Sequence, residues 1–267
     1  MKNLALVTGA TGGIGAAIAK QLMAEGYSVL LTGRSLERLE QVSAELRSEH
    51  PTAQIEVVSA DVTTASGRDA IVACIGSLQR ALDLIVNNAG AGLFGLLEDL
   101  EAEQLETLFT TNVVAPILLT QAVLKAFVAQ NPKLQVINVG STFGSIGYPG
   151  FSSYCATKFA LRGFSQALAR EYGDTAVQVR YFAPRATQTA LNSDAVNAMN
   201  QELKVSVDTP EVVAKQFAAF LRSKNPSAHI GWPERFFVWL NQLSPGTVTS
   251  ALIKQLPVIK RHARATG

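Results

Sequence analysis

Residues that bind metals or form disulfide bridges are scarce in this sequence. Cysteine occurs twice, as Cys74 and Cys155, and histidine occurs three times in 267 residues. Neither a C-x-x-C nor an H-x-x-x-H spacing is present, so the sequence predicts no metal site. Two isolated cysteines are typical of a reducing compartment, which favours a cytoplasmic location.

An excess of either charge and a long apolar run are also missing. The 23 Lys and Arg residues nearly balance the 21 Asp and Glu residues, and a net charge of +2 is too small to indicate nucleic-acid binding. No run of about 18 uncharged apolar residues occurs, so no membrane span is predicted. The apolar start of the chain breaks at Thr8-Gly9, which is too early for a signal peptide.

What remains is the composition of a globular protein, with 48% hydrophobic and 16% charged residues. Strands are predicted at 4–9, 28–34, 54–62, 82–90, 134–141, 177–184 and 228–232. Helices are predicted at 14–26, 35–50, 64–79, 101–129, 153–172 and 209–223. Because continuously apolar strands alternate with helices, the strands are expected to be parallel. The predicted fold is α/β, a doubly wound parallel sheet of about seven strands with helices on both faces, in one domain over 1–267.

The first turn after a predicted strand is rich in glycine and reads TGATGGIG at 8–15. A strand that turns sharply into a helix lets the backbone approach a pyrophosphate, and the helix N-terminus then faces the anion. The spacing T-G-x-x-x-G-x-G is looser than the fingerprint G-x-G-x-x-G, and a glycine-rich turn without a ligand is the alternative. The candidate cofactor contacts in this turn are Gly9, Thr11, Gly13, Ile14 and Gly15.

The end of the second predicted strand bears on the choice between NAD(H) and NADP(H). Proteins that bind NAD(H) tend to place an acidic residue about 20 residues past the glycine loop, whereas this chain has Thr32-Gly33-Arg34-Ser35. The planar guanidinium of Arg34 suits a 2′-phosphate. The pattern therefore favours NADP(H) over NAD(H), with an ordinary surface arginine as the alternative.

Several short motifs occur in the order that is typical of the short-chain dehydrogenase/reductase family. They are TGATGGIG (8–15), DV (61–62), NNAG (87–90), the asparagine of TTNVV (110–114), Ser141 and YCATK (154–158), followed by a proline after the sixth strand. The match runs through most of 4–190, and the motifs are specific only in combination. The chain therefore resembles that family, which implies a Rossmann-like fold and an NAD(P)-dependent oxidoreductase.

The resemblance also implies roles for individual residues. The implied catalytic tetrad is Asn112, Ser141, Tyr154 and Lys158. The implied cofactor contacts outside the glycine loop are Asp61 and Val62 at the adenine, Asn88, Ala89 and Gly90 in the cleft, Tyr154 and Lys158, and Pro184, Thr187 and Thr189 near the nicotinamide. In the family a glycine usually follows that proline, but this chain has Pro184-Arg185, and Arg185 is expected either to alter the loop or to point toward the substrate entrance.

Tyr154 and Lys158 are four residues apart on a predicted helix, so their side chains share one face. Alone they would be a solvated surface pair. Beside Ser141 and the glycine loop, Tyr154 becomes the candidate acid that protonates a carbonyl oxygen, and Ser141 would donate to the same oxygen. The pKa of a tyrosine must fall from about 10 toward 7 for this task. Lys158 and the oxidised nicotinamide ring are expected to supply the positive charge. By resemblance, Lys158 would also hold ribose hydroxyls, and Asn112 would anchor a water that relays protons to it.

Two segments outside the strand–helix alternation are candidates for substrate contact. Residues 187–207 are polar and are expected to form a mobile lid. Residues 233–267 form an apolar extension that Pro245 and Pro257 are expected to interrupt. The extension would cap the cleft, pack at a subunit interface, or touch a membrane surface through its aromatic residues, Phe236, Phe237 and Trp239, and its basic end, 260–264.

The sequence thus predicts an NADP(H)-dependent oxidoreductase that interconverts a carbonyl and an alcohol. Phe94, Phe143, Ile146 and Tyr148 near the expected cleft favour a hydrophobic substrate, such as an acyl chain, steroid, retinoid or simple ketone, unless these side chains belong to the core. A non-catalytic NADP(H)-binding sensor and a membrane-surface accessory protein are the alternatives. The resemblance implies a homodimer or homotetramer formed through the helices around 101–129 and 153–172.

Overall fold

The structure, a computed structural model, describes residues 3–264 and contains one seven-stranded sheet. The strands are β1 (Leu4–Thr8), β2 (Ser28–Gly33), β3 (Ile55–Ser59), β4 (Leu82–Asn87), β5 (Gln135–Val139), β6 (Gln178–Ala183) and β7 (Ser227–His229). Their order is β3-β2-β1-β4-β5-β6-β7, and every neighbouring pair is parallel. The predicted doubly wound parallel fold is confirmed.

Ten α-helices connect and cover the strands within the described range. They are α1 (Gly13–Ala24), α2 (Leu36–Glu49), α3 (Ala65–Ser77), α4 (Ala102–Phe109), α5 (Ala115–Phe127), α6 (Ser152–Glu171), α7 (Asp194–Glu202), α8 (Pro210–Arg222), α9 (Glu234–Leu243) and α10 (Pro245–Arg264). Short 3₁₀ turns occur at Leu97–Asp99 and Thr142–Gly144.

The sheet buries apolar side chains on both of its faces. Along β1, Ala5 and Val7 join the core beneath α1, α2 and α8, whereas Leu4 and Leu6 join the core beneath α3, α5 and α6. Successive strand residues point to opposite faces, so each strand contributes to both layers. The carboxyl ends of the strands therefore share one edge, where open α/β sheets bind ligands.

The helix predicted over 101–129 is present but contains an irregular turn. α4 passes into α5 through a π-helical turn at Thr110–Val114, and such turns are frequent at functional sites. By length and composition alone, the continuous helix Ala102–Phe127 is able to cross a membrane, although the sequence predicts no span. Core helices pass the same test, and α5 buries residues such as Leu119 and Val123 against the sheet.

A buried arginine fastens β6 to the end of α8. Arg180 is 4% exposed, and its guanidinium donates at 2.6 to 3.3 Å to the carbonyls of Phe220, Leu221, Ser223 and Asn225. A helix leaves its last carbonyls without intrahelical donors, and its dipole favours a cation there. The guanidinium also lies 4.0 Å from the ring centre of Phe220. Arg180 therefore serves as the C-terminal cap of α8.

The two segments outside the strand–helix alternation are largely helical. α7 lies within 187–207, and its N-cap Ser193 accepts from the Val196 N–H at 3.3 Å. Glu202 at the end of α7 pairs with Arg261 and His262 of α10, so these two helices are joined at the surface.

The prediction that Pro257 interrupts the C-terminal extension is wrong, because Pro257 lies inside α10. A proline removes one backbone donor, and the carbonyl four residues earlier loses its partner. That residue, Ile253, is 58% exposed on α10, so its carbonyl is on the side of the helix that faces solvent. Residues 1–2 of the predicted domain lie outside the described residues. The same holds for residues 265–267, at the end of its C-terminal extension.

Candidate active site

The β1–α1 loop allows a ligand to approach the backbone closely. Gly9 and Gly13 have φ angles of 65° and 54°, in the left-handed region that glycine adopts without strain. A Cβ on Gly15 would lie 2.2 Å from the Gly9 carbonyl oxygen, so a larger residue does not fit. Among the described residues, no side chain caps the N-terminus of α1. Its first N–H groups are therefore available to a pyrophosphate, and the loop fits a dinucleotide.

Thr8 and Asn88 brace this loop from the sheet. The Thr8 hydroxyl accepts from the backbone N–H groups of Asn88 and Ala89, both at 2.9 Å. The Asn88 amide donates to the carbonyls of Thr8 at 3.0 Å and Gly9 at 3.3 Å. Asn88 thus joins the ends of β1 and β4, and its amide is used in shaping the cleft.

Arg34, Asp61 and Val62 lie at the ends of β2 and β3, on the opposite side of β1 from β5 and β6. Asp61 accepts from the backbone N–H and hydroxyl of Thr63 at 2.9 and 2.7 Å. These hydrogen bonds hold the pKa of Asp61 below its ordinary value, with a smaller contribution from the charge of Arg34. The Thr11 methyl group covers Gly33, where a Cβ would lie 2.7 Å from it.

Ser141, Tyr154 and Lys158 come together where β5 ends and α6 begins. Ser141 follows β5 and accepts from the Phe143 N–H at 3.1 Å. Tyr154 lies in the first turn of α6 and Lys158 one turn later, with its Nζ 5.6 Å from the centre of the Tyr154 ring. Lys158 is 6% exposed, and its Nζ donates to the Val139 carbonyl at 3.3 Å.

Burial dominates the proton affinities of this group. It raises the pKa of Tyr154 above its ordinary value, while the Ser141 hydroxyl acts in the opposite direction. It lowers the pKa of Lys158 from 10.5 to about 8. The protein groups alone therefore do not bring the pKa of Tyr154 toward neutrality. The expected fall in the pKa of Tyr154 therefore needs the second positive charge named above, that of an oxidised nicotinamide ring.

Asn112 joins the loop after β4 to α6. It is 1% exposed, and its amide accepts from the Ala91 N–H at 2.7 Å and donates to the Ala91 carbonyl at 2.9 Å. It also donates to the Thr157 hydroxyl at 3.1 Å. A Cβ on Gly90 would lie 3.3 Å from Asn112 Oδ1 and 3.7 Å from Lys158 Nζ. Gly90 thus keeps a gap between the two residues that the resemblance connects through a water.

Behind Ser141 lies a tyrosine that sequence reasoning missed. Tyr181 of β6 is 1% exposed, and burial raises its pKa to about 12. Its hydroxyl lies 3.3 Å from both the backbone nitrogen and oxygen of Ser141 and 3.4 Å from the Lys158 carbonyl. Gly140 and Gly144 make room for it, since a Cβ on either would lie 2.0 or 2.2 Å from the hydroxyl oxygen. Tyr181 therefore sets the backbone positions of two catalytic candidates.

A largely apolar cavity of about 660 Å³ opens beside Ser141 and Tyr154 and reaches Ile14 of the glycine loop. The rings of Phe143 and Phe151 pack on Tyr154 with centres 6.4 and 6.2 Å away. Further apolar wall residues come from the core loops (Phe94, Ile146, Tyr148), from 187–207 (Leu191, Val196, Met199) and from the extension (Phe237, Val248, Leu252). The lid segment and the extension thus contribute walls of the same cavity.

Arg185 and Glu234 line this cavity, and together with Asp208 they form an ion-pair cluster, called here the Arg185 cluster. Nε and Nη2 of Arg185 contact both carboxylate oxygens of Asp208 at 2.8 and 2.6 Å, and Nη1 lies 3.2 Å from Glu234 Oε2. The three side chains are 18%, 11% and 19% exposed. Arg185, which stands where the family usually has glycine, thus connects the loop after β6 to Asp208, just before α8, and to Glu234, the first residue of α9.

Thr187 and Thr189 continue the loop after Pro184. The Thr187 hydroxyl donates to the Arg185 carbonyl at 2.9 Å. The Thr189 methyl lies 3.4 Å from the place of a Cβ on Gly13. The loop after β6 therefore reaches the glycine loop, although the Thr187 hydroxyl is already used.

Known proteins resemble this chain over most of its length. The family model described as short chain dehydrogenase matches residues 3–200. The NADP-dependent 3-hydroxy acid dehydrogenase YdfG of Salmonella typhi is 38% identical over 183 residues, which are 68% of this chain and 71% of the relative. The crystal structure of a short-chain dehydrogenase from Streptomyces avermitilis has a TM-score of 0.78 and 28% identity, covering 100% of this chain and 99% of that one. A short chain dehydrogenase from Burkholderia cenocepacia J2315 in complex with NADP has a TM-score of 0.77 and 30% identity, covering 87% and 98%.

Proposed function

The chain belongs to the short-chain dehydrogenase family, and on that premise we propose that it is an NADP(H)-dependent oxidoreductase. It interconverts a carbonyl and an alcohol on a hydrophobic substrate, with Tyr154 as the acid and base. The observation that carries the proposal is the joint position of Ser141 and Tyr154 in one apolar cavity that reaches the glycine loop. A substrate in this cavity has both hydroxyls and the proposed cofactor loop in its walls.

The proposed division of labour follows from the contacts of each residue. The bound cofactor would supply the hydride, and the protein supplies position and the proton. Ser141 donates to the substrate oxygen and stabilises the negative charge that develops there. Tyr154 protonates that oxygen in reduction and accepts the proton in oxidation. Lys158 holds ribose hydroxyls and returns the proton to Tyr154. Lys158 in turn receives a proton through the gap that Gly90 leaves beside Asn112.

Replacing Tyr154 by Phe tests the assigned acid, because it removes the hydroxyl and keeps the ring. General acid catalysis contributes about 100- to 10,000-fold, so turnover of aldehydes and ketones, followed by NADPH absorbance, is expected to fall at least 100-fold. NADPH affinity should change little. The matched control is Tyr172→Phe at the far end of α6. Residual activity within tenfold of the wild type would refute the assignment, and NADPH binding without turnover of any carbonyl by the wild type would favour a sensor.

The preference for NADP(H) is inferred from Arg34, which is exposed at the end of β2 in a segment without an acidic residue. The NADP named for the Salmonella typhi and Burkholderia cenocepacia relatives supports it. A charge-assisted hydrogen bond contributes about 1.5–3 kcal/mol, so Arg34→Ala should weaken NADPH roughly 10- to 100-fold and leave NADH affinity nearly unchanged. Arg170→Ala, which removes an exposed charge from α6, is the control. Equal losses for both cofactors would remove the inference.

A second role, weak contact with a membrane surface, is proposed from an exposed aromatic ridge. The ridge consists of Trp232, Phe236, Trp239 and Leu243, which lie four, three and four residues apart. Trp232 and Trp239 are 73% and 53% exposed, and their rings lie 5.9 and 5.7 Å from that of Phe236. Tryptophan and phenylalanine on one helix face are typical of membrane interfaces.

Sedimentation with anionic lipid vesicles tests this contact. The full chain is expected to bind, and Trp232→Ser with Trp239→Ser should abolish binding without loss of turnover. Leu97→Ser, which removes another exposed apolar side chain far along the chain, is the control. If the wild-type chain does not sediment with the vesicles, the membrane contact is refuted, and the proposed catalytic role is unaffected.

Assembly and location complete the proposal. Phe109, Val114 and Phe159 are 39%, 45% and 44% exposed on α4, the π-helical turn and α6, which supports a homodimer or homotetramer formed through these helices. Phe159→Glu should shift the mass in light scattering toward the monomer, and an unchanged mass would exclude this face. The unpaired cysteines Cys74 and Cys155 support a cytoplasmic location, which cell fractionation tests.

A further inference from the structure

The cavity wall contains charge, but little of it is available to a ligand. Of the described residues that line the cavity, the charged ones are Arg185, Lys204 and Glu234. Every nitrogen of the Arg185 guanidinium is engaged, with Nε and Nη2 on Asp208 and Nη1 on Glu234 and the Trp232 carbonyl. Lys204 is exposed, and water and salt screen the charge of an exposed ammonium. The partly buried cation of the wall, Arg185, is therefore already paired with carboxylates.

The Arg185 cluster has a formal charge of −1, because one guanidinium faces two carboxylates. The hydrogen bonding of Arg185 to the Asp208 carboxylate, which accepts, is the main cause that raises the pKa of Arg185. Asp208 occupies the Nε/Nη2 edge of the guanidinium, and Nη1 on the other edge is bound to Glu234, which leaves one N–H of Nη2. An anion that entered the cavity would therefore meet the surplus negative charge without gaining a buried cation that is free of a carboxylate partner.

The backbone holds the cluster in place. The Asp208 N–H donates to the Ala186 carbonyl, and the Gln188 N–H donates to the Asp208 carbonyl, both at 2.9 Å. On the other side Gly231 has a φ of 96°, and a Cβ there would lie 2.6 Å from both Arg185 Cδ and Glu234 Oε2. The backbone at Asp208 is therefore fixed by hydrogen bonds, and glycine at 231 leaves the space in which Arg185 and Glu234 meet.

We propose that the Arg185 cluster makes the cavity select uncharged carbonyl compounds over carboxylates and sulfonates with the same carbon skeleton. The proposal rests on the proposed reductase function and names its substrate class. Two costs combine against the anion: it loses hydration on entry without gaining an unpaired buried cation, and it lies beside a group of like charge. A neutral ester or ketone bears neither cost, and the apolar walls accept its carbon chain.

The test compares an acid with its ester in two assays on the cofactor-loaded protein. Turnover is measured for levulinate and ethyl levulinate, and binding for decanoate and methyl decanoate by titration calorimetry. An ester is more apolar than its acid, so the informative quantity is how the ester-to-acid ratio changes in a variant. Glu234→Gln keeps the shape of the side chain and a hydrogen-bonding oxygen while it removes one negative charge. Glu45→Gln, which removes an exposed charge from α2, is the matched control.

We expect Glu234→Gln to lower the ester-to-acid ratio of kcat/KM and of binding roughly five- to tenfold, as removal of one unit charge across a partly solvated cavity implies. Glu45→Gln should leave the ratio unchanged. Asp208→Asn provides a second variant if circular dichroism shows that Glu234→Gln is misfolded. An unchanged ratio in the folded variant, or wild-type preference for decanoate, overturns the proposal. If neither levulinate compound is reduced, the proposed function is in doubt, while the calorimetric ratio still decides the selectivity.

Discussion

Arg180→Met is the substitution that tests most directly how the sheet holds α8. The methionine keeps much of the apolar stem and removes the guanidinium. The wild-type group donates to four carbonyls at the end of α8 and beyond it, at 2.6 to 3.3 Å. The Phe220 carbonyl also accepts from the N–H and the hydroxyl of Ser223, at 3.0 and 2.8 Å, so the guanidinium is one of its three donors.

The expected cost follows from how accessible each acceptor is to water. The buried Phe220 carbonyl keeps both Ser223 donors when the guanidinium is removed, so the loss of this one hydrogen bond costs about 0.5–1.5 kcal/mol. The three other acceptors are partly or fully exposed residues, and their rehydration costs roughly 0.5–1 kcal/mol each. Loss of the contact with the Phe220 ring adds a few tenths to about 2 kcal/mol. The free energy of unfolding should therefore fall by about 2–6 kcal/mol, a large change beside the roughly 5–15 kcal/mol of an ordinary domain.

Urea unfolding without cofactor, followed by circular dichroism, measures this change. Arg170→Met is the matched control, because it removes the same charge from an exposed position on α6 and should cost at most about 0.5 kcal/mol. Equal m-values are required, since a changed m would mean that the two variants do not unfold between the same states. A loss below about 1 kcal/mol for Arg180→Met would show that water satisfies the end of α8 equally well.

Three further substitutions test the site. Gly15→Ala should abolish NADPH binding and destabilise the fold by about 2–4 kcal/mol, because its Cβ would lie 2.2 Å from the Gly9 carbonyl oxygen. The control is Gly76→Ala, where the space around the new Cβ is open. It should stabilise α3 by about 0.5–1 kcal/mol in urea unfolding. Tyr181→Phe should lower kcat several-fold with little change in NADPH affinity and cost about 1–2 kcal/mol of stability, and an unaltered kcat would remove its positioning role. Burial lowers the pKa of Lys158 to about 8, so above that pH the folded chain has released a proton that the unfolded chain keeps up to about 10.4. Stability relative to Lys158→Met should then rise with pH between 8 and 10 by up to about 1.4 kcal/mol per unit, and a flat difference in urea unfolding would contradict the assigned pKa.

The sequence predicts the strands because buried parallel strands are continuous apolar runs, but it extends several of them too far. The predictions at 54–62 and 82–90 end in the structure at Ser59 and Asn87. The residues beyond these ends include Val62 and Ala89, which pack in the apolar core, and Gly90, which has no side chain. Local pattern does not distinguish such residues from the end of a strand.

The segments that wall the cavity were harder to predict, because their structure depends on distant partners. α7 has a polar sequence and joins α10 through Glu202. Arg185 meets Asp208 and Glu234, which lie 23 and 49 residues away. Tyr181 meets Ser141 across 40 residues. The departure from Pro-Gly at Pro184-Arg185 was the one local signal, and it pointed to the correct place without indicating the partners.

The family motifs and much of the cavity wall lie in different parts of the chain, which explains why the reaction is easier to infer than the substrate. The family match ends at residue 200, and the proposed catalytic group, from Asn112 to Lys158, lies well inside it. Lys204, Glu234 and the apolar wall residues of α9 and α10 lie beyond that limit. Hydride transfer requires one fixed arrangement of hydroxyls and cofactor, whereas a cavity wall only has to match a particular molecule in shape and charge. The substrate of this chain is therefore to be sought from the charge and volume of the cavity, with neutral, apolar carbonyl compounds first, rather than from the substrates of relatives that share the motifs.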